Sequence, residues 1–257
     1  GNFVAALPIV VNAAHEAKPH LAGTALMLLS ILPAARYVRL GKRRDAMLAG
    51  ACCGAAFAMV VSAVLGFALL PAMVLLRRSD PLKHRAIALT LSIVAGVLLY
   101  AITNPWFIYN TLFRPELMTS NIGNSTAMYA ITLGGFRPAM EMLLAAAGPV
   151  LLLLVVAAAM LIYRAIRRHR IGACDTTCRG DGTPGHLLLV PAFLVLLQFV
   201  LLAEGKPIEY ARFALLPLAA IVIAGVGGVQ VLFPRQRTQR IVAELIALAT
   251  LPAGGVR

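Results

Sequence analysis

The sequence predicts an all-α protein: a polytopic bundle of about seven transmembrane helices, one part of which is a hairpin of short helices at residues 46–76. Three observations carry this. The mean hydropathy is +0.86, and only 13% of the 257 residues are charged, against roughly a quarter in an average soluble domain. The apolar residues run in unbroken blocks of spanning length, and short basic clusters separate those blocks. The net charge of +13 therefore reads as membrane topology. It does not read as nucleic-acid binding, because the cations share no amphipathic face and no aromatic residues interleave them.

The blocks fall at 21–38, 46–76, 86–103, 138–163, 186–203 and 213–233. A single crossing takes about 20 residues, so most blocks fit one span each. The second block does not, since 31 residues would form a helix of roughly 46 Å against a hydrocarbon core of about 30 Å. Arg36, Arg39, Lys42, Arg43 and Arg44 precede it, and Arg77, Arg78, Lys83 and Arg85 follow it. Both ends therefore ask to be cytoplasmic, which an even number of crossings satisfies: two short helices turning near Ser62. Further basic clusters at Arg164–Arg170 and Arg235–Arg240 then also fall on the cytoplasmic side. Residues 1–240 read as one transmembrane domain, and 241–257 as a tail or the start of another span. No signal peptide is evident, and the chain is expected to be a piece lacking its first spans. Cys52 and Cys53 read as packing residues inside a span, and Cys174 and Cys178 as part of a solvated loop.

Three segments remain for the non-cytoplasmic face: 1–20, 104–137 and 204–212. The first carries HEAKPH, with His15, Glu16, Lys18 and His20. The second opens on NPWFIYN, where Trp106 and Tyr109 suit an aromatic belt. The third is EGKPIEYAR, in which Glu204, Lys206, Glu209 and Arg212 alternate in sign within a loop too short to leave the headgroup level. Mixed charge so close to the bilayer is costly and marks a site.

The order of these features resembles that of the polytopic GT-C-fold glycosyltransferases, relatives of protein mannosyltransferases and lipid A aminoarabinose transferases that use polyprenyl-phosphate sugars. AAHEAKPHLAGTALMLLSILPAARYVRLGKRRDAMLAGACCGAA is similar to an external loop, a span, a basic turn and a small-residue-rich helix of that family. TNPWFI resembles its Asn-Pro-aromatic element, and EYARFALLPLAAI its late Arg-aromatic-leucine-proline element. The likeness is one of ordered pattern over about residues 8–232. Two departures stand out: His20 occupies a position where the family commonly has an acid, and the family's first-loop catalytic acid would lie upstream of Gly1.

The resemblance implies sugar transfer from a polyprenyl-phosphate donor to a glycan, lipid or protein acceptor, at the non-cytoplasmic face of a cell inner membrane. Such transfer needs a carboxylate near the acceptor hydroxyl and fixed positive charge for the departing phosphate. Glu16, the one carboxylate of the first segment, is the catalytic candidate, as base or as a partner orienting Lys18 or a histidine. Lys206 and Arg212 are candidates for the phosphate, Arg212 the stronger for its planar fork. Lys18 is suited to share that work, His15 and His20 to bind acceptor hydroxyls or shuttle a proton, and Asn104, Trp106 and Glu209 to complete the substrate site. No cofactor is called for and no ligand set for a divalent cation is evident. The alternative is a multi-pass transporter or flippase, which would place ionisable groups near the midplane and show an internal repeat; neither is evident.

Overall fold

The computed structural model describes residues 19–128, 133–147, 159, 163, 183–202, 214–220 and 222–223. Every regular element among them is helical. Helix α1 is Pro19–Leu40 and α2 is Arg43–Met59. A 3-10 helix, Val61–Ala68, continues into α3, Leu69–Leu76. Then come α4, Leu82–Thr103, α5, Pro105–Phe113, α6, Pro115–Met128, α7, Phe136–Ala147, and α8, Thr183–Leu202. Among the described residues, α1 and α4 are the two helices long and apolar enough to cross a membrane. The expected spans at 138–163 and 213–233 lie largely outside the described residues, as do Cys174 and Cys178.

The chain leaves α1 through Gly41, whose φ of 71° is the left-handed conformation that glycine adopts without a Cβ penalty. Its N–H closes the last turn on the Tyr37 carbonyl at 2.8 Å. Helix α2 then runs antiparallel to α1: Arg36 pairs with Asp45 at 3.5 Å at one end, and Gly23 lies against Val60 at the other. At Val60 the backbone turns extended and the chain reverses. On the way back, the Cys53 thiol donates to the Gly66 carbonyl at 3.5 Å. The expected hairpin is thus present, with its reversal at Val60, two residues before Ser62.

Its return limb is not the simple short helix expected. Eight residues in 3-10 geometry cover about 16 Å at a rise of about 2.0 Å per residue, and the eight of α3 add about 12 Å. The outgoing α2, with 17 residues, covers about 25 Å. The tighter helix, with its larger rise, brings a 16-residue limb back level with the start of α2.

Arg77 closes the excursion. One guanidinium nitrogen donates to the Val38 and Arg39 carbonyls at 2.9 Å each, satisfying acceptors that the end of α1 leaves without helical donors. The other lies 3.0 Å from Asp80. Arg85 likewise donates to the Val74 carbonyl at 2.9 Å, at the end of α3. Both ends of residues 43–76 therefore meet at one basic end.

Helix α2 is the centre of the packing, with α1 on one side and α4 on the other. Its Ala46, Ala49, Cys53 and Ala56 are fully buried, at the spacing of one helical face. Gly50 and Gly54 face α4, where a Cβ would run into the backbones of Ser92 and Gly96. Only glycine permits this backbone-to-backbone approach, which also fixes α4 parallel to α2. The core that results combines these small residues with Tyr37, Leu69, Leu70 and Met73 of α1 and α3, and Leu187 of α8.

Two outcomes check the closure. Arg77→Lys keeps the charge but cannot reach two carbonyls and Asp80 at once, and should cost about 1.5–3 kcal/mol in thermal or denaturant unfolding, while Arg78→Gln, exposed and unpartnered among the described residues, changes stability by less than about 0.5 kcal/mol. The hydrogen bond from Arg77 holds the Asp80 carboxyl below its usual 3.8. A carboxyl depressed in the folded state adds stability above its unfolded pKa and loses it as pH falls through the folded one. Acidification from about pH 6 to about pH 3 should therefore lower the unfolding temperature of the native chain more than that of Asp80→Asn, which starts lower at the higher pH.

Candidate functional site

At the end opposite the basic one, the first turns of α1 present His20, Thr24 and Met27 along one face, at the i, i+4, i+7 spacing. Gly23 on the same turn lets α1 approach the reversal, since a Cβ there would lie 3.3 Å from Val60 Cγ2. The return limb adds Ser62 and Ala63. Helix α8 runs toward this end, for Leu187 packs with Tyr37's cluster and Val195 with Met27 and Leu216. Together these elements border a half-open cavity of about 30 Å³ lined by His20, Thr24 and Ser62 among apolar residues from α1, the reversal, α8 and residue 216. That volume holds about two water molecules. It is too small for a sugar ring.

The expected site residues divide into three groups. His20 lines the cavity. Asn104 and Trp106 reach the same end of the bundle without lining it. The stacking of Phe57 on Tyr100 at 4.2 Å fixes the end of α4 beside the end of α2. Asn104 donates to the Tyr100 carbonyl at 3.3 Å, and its successor Pro105 starts α5 at a position where a missing N–H costs nothing. Because α2 stands between α1 and α4, Asn104 and His20 are on opposite sides of it. Trp106 is 73% exposed and meets Tyr109 edge to face at 5.9 Å. His15, Glu16, Lys18, Lys206, Glu209 and Arg212 lie outside the described residues.

Thr24 was not foreseen, although its place four residues after His20 puts both on one helical face. The sequence marks Ser62 only as a turn residue. Gln198 sits one turn beyond Val195, with a buried amide oxygen that accepts no hydrogen bond among the described residues. Cys53 is buried and Cys52 half-buried, both free thiols packed in α2 as expected.

No protein-family model, no curated protein and no solved structure matches the chain. Among the described residues the fold and the cavity define the class: an all-helical arrangement with two helices fit to cross a membrane, a folded-back helical excursion between them, and a small, mainly apolar cavity carrying three polar side chains at the end where that excursion turns.

Proposed function

We propose that the chain is the core of a multi-pass membrane glycosyltransferase of the GT-C type, which moves a sugar from a polyprenyl-phosphate donor to an acceptor at the non-cytoplasmic face. The observation that carries this is the lining of the cavity. His20 and Leu216 line it together; in the sequence Glu16 stands four positions before His20 and Arg212 four before Leu216, and the proposal brings these two polar segments to this one place. In this reading α1, the two limbs of the hairpin and α4 cross the membrane, the limbs of about 25 and 28 Å being adequate for a hydrocarbon core of about 30 Å.

The chemistry assigned to the site balances with few groups. The acceptor hydroxyl oxygen bonds to the anomeric carbon as the bond from that carbon to the phosphate oxygen breaks. The hydroxyl proton passes to a carboxylate base, and polyprenyl phosphate departs with the bonding pair. Arg212, aided by Lys206 or Lys18, meets the charge that grows on the phosphate. In this reading the cavity, too small for the sugar, is the floor of the site, to which His20, Thr24 and Ser62 contribute the polar groups. Asn104 and Trp106, across α2 from His20, fit the outer margin of the site or the lipid interface. A transporter gains nothing here, because α1 between His20 and Arg36, the hairpin between Asp45 and Arg77, and α4 after Arg85 carry no acidic or basic side chain.

In the full-length protein, Arg212→Lys should lower transfer from a polyprenyl-phosphate hexose by about 100-fold with abundance unchanged. Full activity in Arg212→Ala would remove the anion site. For Glu16→Gln, lost turnover with donor binding kept marks the base, and weakening of both marks an orienting partner. A change in neither would take HEAKPH out of the site.

A further inference from the structure

The basic end divides its cations into two sets. Arg77 and Arg85 turn inward and neutralise the carbonyl ends of α1 and α3. Arg36 holds Asp45 at 3.5 Å, and Arg77 also takes Asp80 at 3.0 Å, so both carboxylates of this end among the described residues are engaged. Arg39, Lys42, Arg43, Arg44, Arg78 and Lys83 are left: all six are exposed, and none makes an ion pair or side-chain hydrogen bond among the described residues. Helices α2 and α4 begin at the same end and add the partial positive charge of their N-termini. The opposing partial charge of α1 and α3 is met by Arg77 and Arg85, so this end carries net positive charge among the described residues.

The cations do not stand alone. Leu40, Leu75, Leu76 and Leu82 are exposed within the same two turns of chain, and the contact of Gly41 with the Arg77 guanidinium joins those turns. A free anion would use the cations and leave the leucines in contact with water. An amphiphile with a phosphate head and acyl chains uses both.

We propose that the basic end is a binding surface for anionic phospholipid, with the headgroup phosphate among Lys42, Arg43, Arg44 and Arg78 and the acyl chains against Leu40, Leu75, Leu76 and Leu82. Pairing with lipid phosphate relieves the mutual repulsion of the six cations, and it fixes the hairpin's open end at the headgroup level. The proposal rests on the membrane placement argued above, and not on the transferase chemistry.

The test uses the purified full chain in a neutral detergent, with unfolding temperature followed against added phosphatidylglycerol, phosphatidylcholine of the same acyl chains, or inorganic phosphate. Phosphatidylglycerol should raise the unfolding temperature with a half-effect at least tenfold lower in lipid mole fraction than phosphatidylcholine. The combined variant Lys42→Gln, Arg43→Gln, Arg44→Gln, Arg78→Gln should lose that preference while unfolding at the native temperature in detergent alone. Equal effects of the two lipids, a preference kept in the variant, or the same shift with inorganic phosphate would each overturn the lipid surface. Partition of the chain into the aqueous layer of a phase-separating detergent would overturn the membrane placement itself, whereas partition into the detergent layer without lipid preference refutes the surface alone.

Discussion

The rest of the structure depends on Arg77 reaching the carbonyls of Val38 and Arg39. A helix end presents carbonyls with no donors of their own, and here a side chain far along the sequence supplies them. That contact makes residues 43–76 an excursion that returns to its origin, and it decides which residues share an end. With α1 and α2 packed antiparallel, it holds the return limb beside the end of α1, and Ser62 joins His20 and Val60 at the turning end. Gly41 is part of the same constraint: a Cβ there would lie 2.5 Å from the Arg77 guanidinium, so the turn that ends α1 is also the turn that admits the arginine.

The second constraint is thickness. Helix α2 serves as a thin partition because Gly50 and Gly54 meet the α4 backbone while Ala46, Ala49, Cys53 and Ala56 meet the other side. The partition sorts the polar residues at the turning end into two neighbourhoods. His20, Thr24 and Ser62 line a cavity on the α1 side; Asn104 and the aromatic residues of α5 lie on the α4 side. A site built from the whole end must either reach around α2 or use one side only, and the lining favours the α1 side, where residue 216 also arrives.

Much of the hairpin was legible in the sequence because length and charge both bear on it: a block too long for one crossing, with basic clusters at both ends, has few arrangements open to it. The 3-10 geometry of Val61–Ala68 was not legible, since an apolar run has the same composition in either helix. The placement of Asn104 relative to His20 was not legible either. Hydropathy and charge tell which end of a bundle a residue occupies, while the side of a neighbouring helix it lies on is set by packing between glycines and backbone carbonyls. The arginines show the same limit. Those flanking the hairpin all read as topology, as does Lys42, yet Arg77 and Arg85 are structural while Arg39, Lys42 and Arg78 are free among the described residues, a distinction that depends on partners distant in sequence.

The proposed arrangement puts both ends of the hairpin on one side of a membrane and the His20 end on the other. It is tested most directly by labelling single cysteines, in a Cys-free background, at Lys42, Ser79 and Ser120 with a membrane-impermeant maleimide in intact cells and again after permeabilisation. The account predicts that Ser120→Cys labels in intact cells, and that Lys42→Cys and Ser79→Cys both label only after permeabilisation. Labelling of Lys42→Cys and Ser79→Cys from opposite sides would contradict it.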